Sequence, residues 1–357
     1  MKIAWLLTGT ILMLTTHLAG GAELQRDLLV FGSAEFAHIS GAAQSTTDVE
    51  AENIGADVLL SVQRNSLKLF GEYLLTNHEA ELERFQLGWE PSDHSVLWVG
   101  RFHQASSVWN HRHHHGQFLQ TSITRPAGED WEDHGGIIPQ HFAGVLWESS
   151  WKIGTERELR TAVGGGIAPV MTPEGLQPLD LLQPNMHDHK FGAQMRIGYL
   201  PHELHDTEIG LLYAHNEIAA RDFRTAASDA FDHIDQTVIG AYGRYDPWNL
   251  QAACYRVTTR FDQAELTGES QSFFLGYAQV EFHLSPGLEG YLRHENTAHA
   301  SESAYMRLFP RFVTRRSTLG VRWQFSRSNA VTLELSDSHS REQGYTEFRL
   351  QWSGATL

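Results

Sequence analysis

From about residue 27 to residue 352 the chain repeats one unit: a segment alternating apolar with polar residues, a short turn, a second such segment, and a longer polar stretch. The last segment shows the pattern best. Thr346, Phe348, Leu350 and Trp352 fall on one side of an extended chain, and Glu347, Arg349 and Gln351 on the other. Side chains of a strand alternate faces, so each segment has one apolar and one charged surface. A soluble sandwich would bury the apolar faces in a core. A closed barrel in a membrane turns them outward to lipid and keeps its charges inside. Because short and long connections alternate in strict phase, the barrel is the better reading.

Segmentation gives an all-β chain, a single transmembrane antiparallel up-and-down barrel of about sixteen strands. The outward sets begin with Leu28, Val30 and Phe36, then Val58, Leu60 and Val62. They include Val96, Trp98 and Phe102, the clear run Phe191, Ala193, Met195, Ile197 and Tyr199, and Tyr255, Val257 and Phe261. A segment near Tyr291 is weak. Short turns are expected at 64–66, 91–94, 154–157, 201–206, 246–249, 285–287 and 326–329, where Pro, Gly, Asn, Asp and Ser dominate. The longest connection runs from about Gln104 to His141 and is the third of the long set.

Residues 1–22 read as a secretory signal: Lys2, a mostly apolar stretch from Ile3 to Leu18, then Gly20 and Ala22 before a cleavage point. The barrel would then occupy residues 23–357. No later segment has the run of about 18 apolar residues that a membrane helix needs. Mean hydropathy is slightly negative, which suits a soluble chain but also a barrel, since the apolar and polar faces of alternating strands average out. The single cysteine, Cys254, excludes an intramolecular disulfide framework. A formal charge of −16 argues against nucleic acid as a partner.

On these segments and connections the chain resembles the bacterial porin superfamily of outer-membrane channels. The likeness is architectural and covers nearly the whole mature chain. It implies the outer membrane of a Gram-negative bacterium, lipid around the barrel, short turns in the periplasm and long loops outside. It also implies passage of small hydrophilic solutes or ions, and a homotrimer. In porins the third external loop folds inward and narrows the channel, which the resemblance assigns to residues 104–141. Two departures stand out. Trp352 is followed by Ser353, Gly354, Ala355, Thr356 and Leu357, where porins end on an aromatic residue, and the chain carries 21 histidines.

The candidate pore-lining residues are Arg84, Arg101, Glu148, Arg196, Arg256, Arg260, Glu281, Arg322 and Arg349, all placed on polar faces by the alternation. Such side chains are costly without water, and in a channel they select solutes by field and hydrogen bonding. In the third loop, Arg125 and the acidic Glu129, Asp130, Glu132 and Asp133 would face the wall arginines across the lumen. The same loop holds His111, His113 and His115, which in an extended stretch share one side. Zinc or another transition metal is therefore a candidate ligand, with His134, His141, His187 and His189 as further contributors. The alternative for these histidines is an ordinary polar loop surface. A second reading of the chain is a non-enzymatic barrel that binds metals or a surface partner. Cofactors are otherwise not expected. No Gly-x-Ser-x-Gly, phosphate-binding glycine loop or His-Glu-x-x-His motif is present, so an enzyme is not expected.

Overall fold

A computed structural model describes residues 24–41, 49–78, 80–113, 116–132, 135–182, 189–202, 206–220, 231–262 and 270–356. The signal segment 1–22 lies outside them. Sixteen strands form the wall. They are β1 (Gln25–Ser40), β2 (Val49–Arg64), β3 (Leu67–Thr76), β4 (Ala80–Ser92), β5 (Ser95–His103), β6 (His141–Ile153) and β7 (Arg157–Ile167), and then β10 to β18. The latter are β10 (Phe191–Leu200), β11 (Glu208–Ala220), β12 (His233–Tyr245), β13 (Leu250–Phe261), β14 (Gln271–Ser285), β15 (Leu288–Ala298), β16 (Val313–Ser326), β17 (Asn329–Ser340) and β18 (Gly344–Ala355). Two three-residue strands, β8 (Val170–Thr172) and β9 (Gly175–Gln177), make a small hairpin within the connection from β7 to β10.

Each wall strand pairs antiparallel with its neighbours, and β7 pairs directly with β10. β1 pairs with β18 from Phe31↔Ala355 to Ser40↔Thr346, which closes the barrel and leaves no wall edge exposed. The expected short turns all fall at one end, the end from which β1 starts and at which β18 finishes. Asn65 and Asn249 hold positive φ in two of these turns, where asparagine tolerates the left-handed region.

Alternation places apolar side chains on the outer face and polar ones inside. Leu28, Leu60, Leu87, Val163, Leu211, Leu319 and Leu335 are exposed, whereas Glu72, Arg84, Gln194, Gln236, Arg316 and Glu334 are buried. Near the short-turn end Trp89, Trp147, Trp151, Trp248, Trp323 and Trp352 stand exposed on the outside, forming an aromatic girdle.

Two strands depart from the face assignment read in the sequence. In β5, Trp98 points inward and donates its indole N–H to Glu148 at 2.9 Å, and Phe102 packs inside against Phe142. Val99 is the exposed residue instead. Val96 to Val99 are all apolar, so alternation cannot choose between the two faces. In β13, Tyr255, Val257 and Phe261 are buried within the barrel, and Cys254, Arg256 and Arg260 are exposed on the outside. Arg256 lies 5.9 Å from the exposed ring of Phe274, and Arg260 pairs with Asp235. Neither arginine lines the pore. The cause is what fills the lumen: an apolar inner face is stable where an apolar insert covers it rather than water.

Gly144 and Gly166 are directly opposed across β6 and β7. A Cβ on Gly144 would lie 2.6 Å from Gly166 Cα, and one on Gly166 would lie 2.6 Å from Gly144 Cα. The strands touch backbone to backbone here. Gly144→Val is therefore expected to cost at least about 1–3 kcal/mol through overpacking. The yield of refolded barrel, read from heat-dependent gel mobility, should fall clearly below that of Gly71→Ala, where a Cβ would meet nothing within 4 Å.

Candidate functional site

The lumen is occupied by the connection between β5 and β6. It enters beside β10 and β11: Gln104 Nε2 donates to Asn216 Oδ1 at 3.1 Å, and the Ala105 N–H donates to Gln194 Oε1. A short helix, α1 (Val108–His113), follows, with Trp109 only 1 % exposed and its indole N–H on Gln120 Oε1 at 2.9 Å. Arg112 reaches Asp206 at 2.5 Å, near the short-turn end.

The chain then crosses to the opposite wall. Gly116 lies against the ring of Phe31 on β1. The carbonyls of Phe118 and Gln120 accept from Arg322 at 2.8 and 2.5 Å. Glu334 accepts the backbone N–H groups of Ile123 and Thr124 at 2.9 and 3.2 Å, the Thr124 hydroxyl at 2.5 Å and the Tyr291 hydroxyl at 2.7 Å. Arg293 donates to Thr124 O at 2.7 Å and to Ser122 Oγ at 3.1 Å, and Arg316 donates to Arg125 O. Glu295 accepts from Arg316 at 2.6 Å and from the Ala127 N–H at 2.5 Å. Inward-facing charges of β15 to β17 thus satisfy loop backbone that would otherwise be buried without partners. On the other flank Trp109, Ala127, Ile137 and Ile138 join Val238, Tyr255, Val257, Phe273 and Leu275 of the wall in one apolar cluster.

The acidic run is used within this insert. Glu129 accepts from Tyr255 on β13 and from the Ser107 hydroxyl at 2.9 Å. Burial drives its pKa up to about 7, outweighing those hydroxyls and the nearby Arg125 guanidinium. Arg125 donates to Asn110 and lies 4.5 Å from the Trp131 ring, and burial lowers its pKa to about 10. Glu132 accepts from the backbone N–H groups of Gln140 and His141 at 2.6 and 2.8 Å and from the His141 ring at 2.9 Å. Burial pushes the Glu132 carboxyl up, but the His141 imidazole and those N–H groups more than offset it and hold it below the usual range. Asp130 lines a mouth cavity of about 580 Å³ beside Arg311 and Arg316. Asp133 lies outside the described residues. Glu129 and Glu132 therefore anchor the loop rather than face the wall arginines across open water.

The remaining sequence candidates are dispersed. Arg84 pairs with Glu72 and lies over Phe70, Arg349 pairs with Glu35 at 2.5 Å, and Glu281 accepts from Gln279 at 2.8 Å. Arg101 is buried between Glu81, Glu83 and the Leu179 carbonyl, lining a cavity of about 250 Å³. His111 and His113 lie on α1, where residues two apart point to different sides. His113 Nδ1 is 3.1 Å from Leu119 O, and His111 lines a different cavity. The extended geometry that would have aligned them is absent. His115, His134 and His187 lie outside the described residues, and His189 contacts the Ala168 carbonyl at 2.9 Å.

A cavity of about 300 Å³ remains beside α1 in the short-turn half, lined by His111, Arg112, Arg160, Arg196, Asp206, Glu208, Tyr242 and Arg244. Asp206 pairs with Arg112 at 2.5 Å and Arg244 at 3.0 Å, and Glu208 accepts from Tyr242 at 2.5 Å. Arg196, on β10, meets no carboxylate within ion-pair distance among the described residues. Four arginines line it against Asp206 and Glu208, with Glu158 paired to Arg160 at 2.6 Å, so the cavity keeps a surplus of one positive charge. Sequence reading missed Arg293, Glu295 and Arg316. On β15 the outward positions are Gly290, Leu292, His294 and Asn296, too polar for the period-2 signal to mark the strand.

No protein-family model matches the chain, and no curated protein matches its sequence. Solved structures do. An anion-selective porin from Comamonas acidovorans superposes with a TM-score of 0.63 at 11 % identity, covering 94 % of this chain and 100 % of that one. OmpT of Vibrio cholerae, in its trimer form, gives 0.59 at 10 % identity over 93 % and 99 %. OmpF of Salmonella typhi gives 0.56 at 12 % identity over 93 % and 98 %. The chain has the fold of the bacterial outer-membrane porins over nearly its whole length.

Proposed function

We propose that this chain is a passive outer-membrane channel for small hydrophilic solutes, constricted by the segment 104–141 and favouring anions in its short-turn half. The observation that carries this reading is the cavity lined by Arg112, Arg160, Arg196 and Arg244 beside α1, inside a barrel whose outer face is apolar. Charged side chains on a lumen are stable only with water or partners, and surplus arginines attract anions. In this reading residues 1–22 are removed on export and residues 23–357 form the barrel. Lipid surrounds the aromatic girdle, and the short turns face the periplasm. A homotrimer accords with the trimer form recorded for the OmpT neighbour. No catalytic role is assigned to any residue.

Purified protein in planar bilayers should give discrete conductance steps. In a salt gradient the reversal potential should show preference for the anion. Arg160→Ala combined with Arg196→Ala should lower the anion-to-cation permeability ratio several-fold, because two of four cavity cations are lost. Repeated insertion without conductance would remove the channel reading. An unchanged ratio in the double variant would remove the anion subsite while leaving a channel.

A further inference from the structure

Outside the lumen, on the outer face of β11 and β12, three side chains of metal-ligand type converge. Glu217 and Asp235 are directly opposed in the ladder, and His215 stands two residues before Glu217 on the same face. One ligand atom from each, an imidazole nitrogen and two carboxylate oxygens, all lie within 4.8 Å of one another. These residues belong to the face that carries the exposed Tyr213 and Ile239, towards the end bearing the long connections.

Two carboxylates directly opposed on one face of a ladder repel each other. Asp235 is compensated: Arg260 donates to its Oδ2 at 2.6 and 3.2 Å, and His233 lies 3.7 Å away. Glu217 has no hydrogen-bond or ion-pair partner among the described residues, although it is half-buried. The Thr237 hydroxyl lies 3.2 Å from His215 Nδ1, an outer contact of the kind that fixes a ligating imidazole. We propose that His215, Glu217 and Asp235 form a site for a first-row divalent transition metal, with zinc as the representative ion. One nitrogen and two oxygen donors suit zinc better than calcium or magnesium, which take oxygen ligands only. Three protein ligands on an outer surface leave the fourth position open to water or an anionic group. The Arg260 side chain is more than half exposed and is free to swing from Asp235 when the metal binds. This site shares no residue with the lumen or with the loop histidines, so it stands or falls independently of the channel.

The test uses the full-length protein in detergent, titrated calorimetrically with zinc chloride and followed in parallel by visible absorption with cobalt(II). Native protein should bind one more equivalent of zinc than His215→Gln and than Glu217→Gln. Its cobalt band should be lost in both variants. Thr237→Val should keep the stoichiometry but weaken binding by about tenfold, as loss of an outer-shell partner does. His111→Ala with His113→Ala should leave this equivalent untouched. Glu217→Gln is isosteric on an outer surface, and unchanged heat-dependent gel mobility confirms that each variant is folded. Equal zinc stoichiometry and affinity in native, His215→Gln and Glu217→Gln protein would overturn the proposal. So would loss of the equivalent only in the loop-histidine variant.

Discussion

Replacing Glu334 by alanine is expected to detach residues 120–125 from the wall and to give a channel with larger, noisier conductance. Glu334 is 1 % exposed and accepts four hydrogen bonds, three of them from Ile123 and Thr124 of the insert. Removing it leaves two backbone N–H groups and two hydroxyls without an acceptor. It also leaves the Arg293 and Arg316 guanidinium groups short of one negative charge. Each buried donor left without its acceptor costs about 1–3 kcal/mol, so the loss amounts to several kcal/mol. That cost falls on the docked state of the loop, because the wall ladders of β16, β17 and β18 do not depend on this carboxylate. Glu334→Gln should show a smaller effect, since its carbonyl oxygen still accepts but its charge is gone. Single-channel recordings in bilayers read the result. Conductance and current noise indistinguishable from native in Glu334→Ala would mean that the insert is held without this anchor.

Acid should tighten the same loop through Glu129, and alkali should loosen it. The pKa of this carboxyl rises from the ordinary 4.5 to about 7 because it is buried in the folded state. An acid whose folded pKa is raised binds its proton more tightly when folded. Its contribution is therefore fully present below pH 4.5 and is lost as pH climbs through about 7. The difference corresponds to about 3 kcal/mol between the two limits, at about 1.4 kcal/mol per pH unit. Above neutrality, ionised Glu129 sits among Tyr255, Ser107 and a wholly buried apolar cluster, and the docked loop is disfavoured. Conductance noise should rise between about pH 5 and about pH 8 in the native protein. Glu129→Gln, which cannot ionise, should remove that component of the rise. A native pH profile that the variant reproduces point for point would assign the titration to another group.

The architecture was legible because it rests on local chemistry. Period-2 alternation, turn residues at Asn65 and Asn249, and the phase of short and long connections each act over a few residues. Together they imply the wall, its ends and its closure. β15 was faint for the same reason, since its outward positions hold Gly290, His294 and Asn296. The inward polar residues were also readable wherever an apolar partner face existed to contrast with them, as at Arg196 and Arg349.

What the alternation could not decide was which medium each face meets. It assumes lipid outside and water inside, and the third loop breaks that assumption on one flank of the lumen. Tyr255 and Val257 turn inward because Trp109, Ile137 and Ile138 cover them, and Arg256 and Arg260 are thereby displaced to the outer face. Likewise the acidic run was visible as a run, but its partners are remote: Tyr255 is 126 residues from Glu129 along the chain. The histidines near residue 111 could be counted in advance, yet a six-residue helix rather than a strand sets where they point. By itself the sequence determined a closed barrel with an apolar exterior, through the period of its side chains. Only the tertiary structure decided which charges remain wetted and which anchor the insert, because desolvation and pairing depend on contacts between segments far apart in the chain.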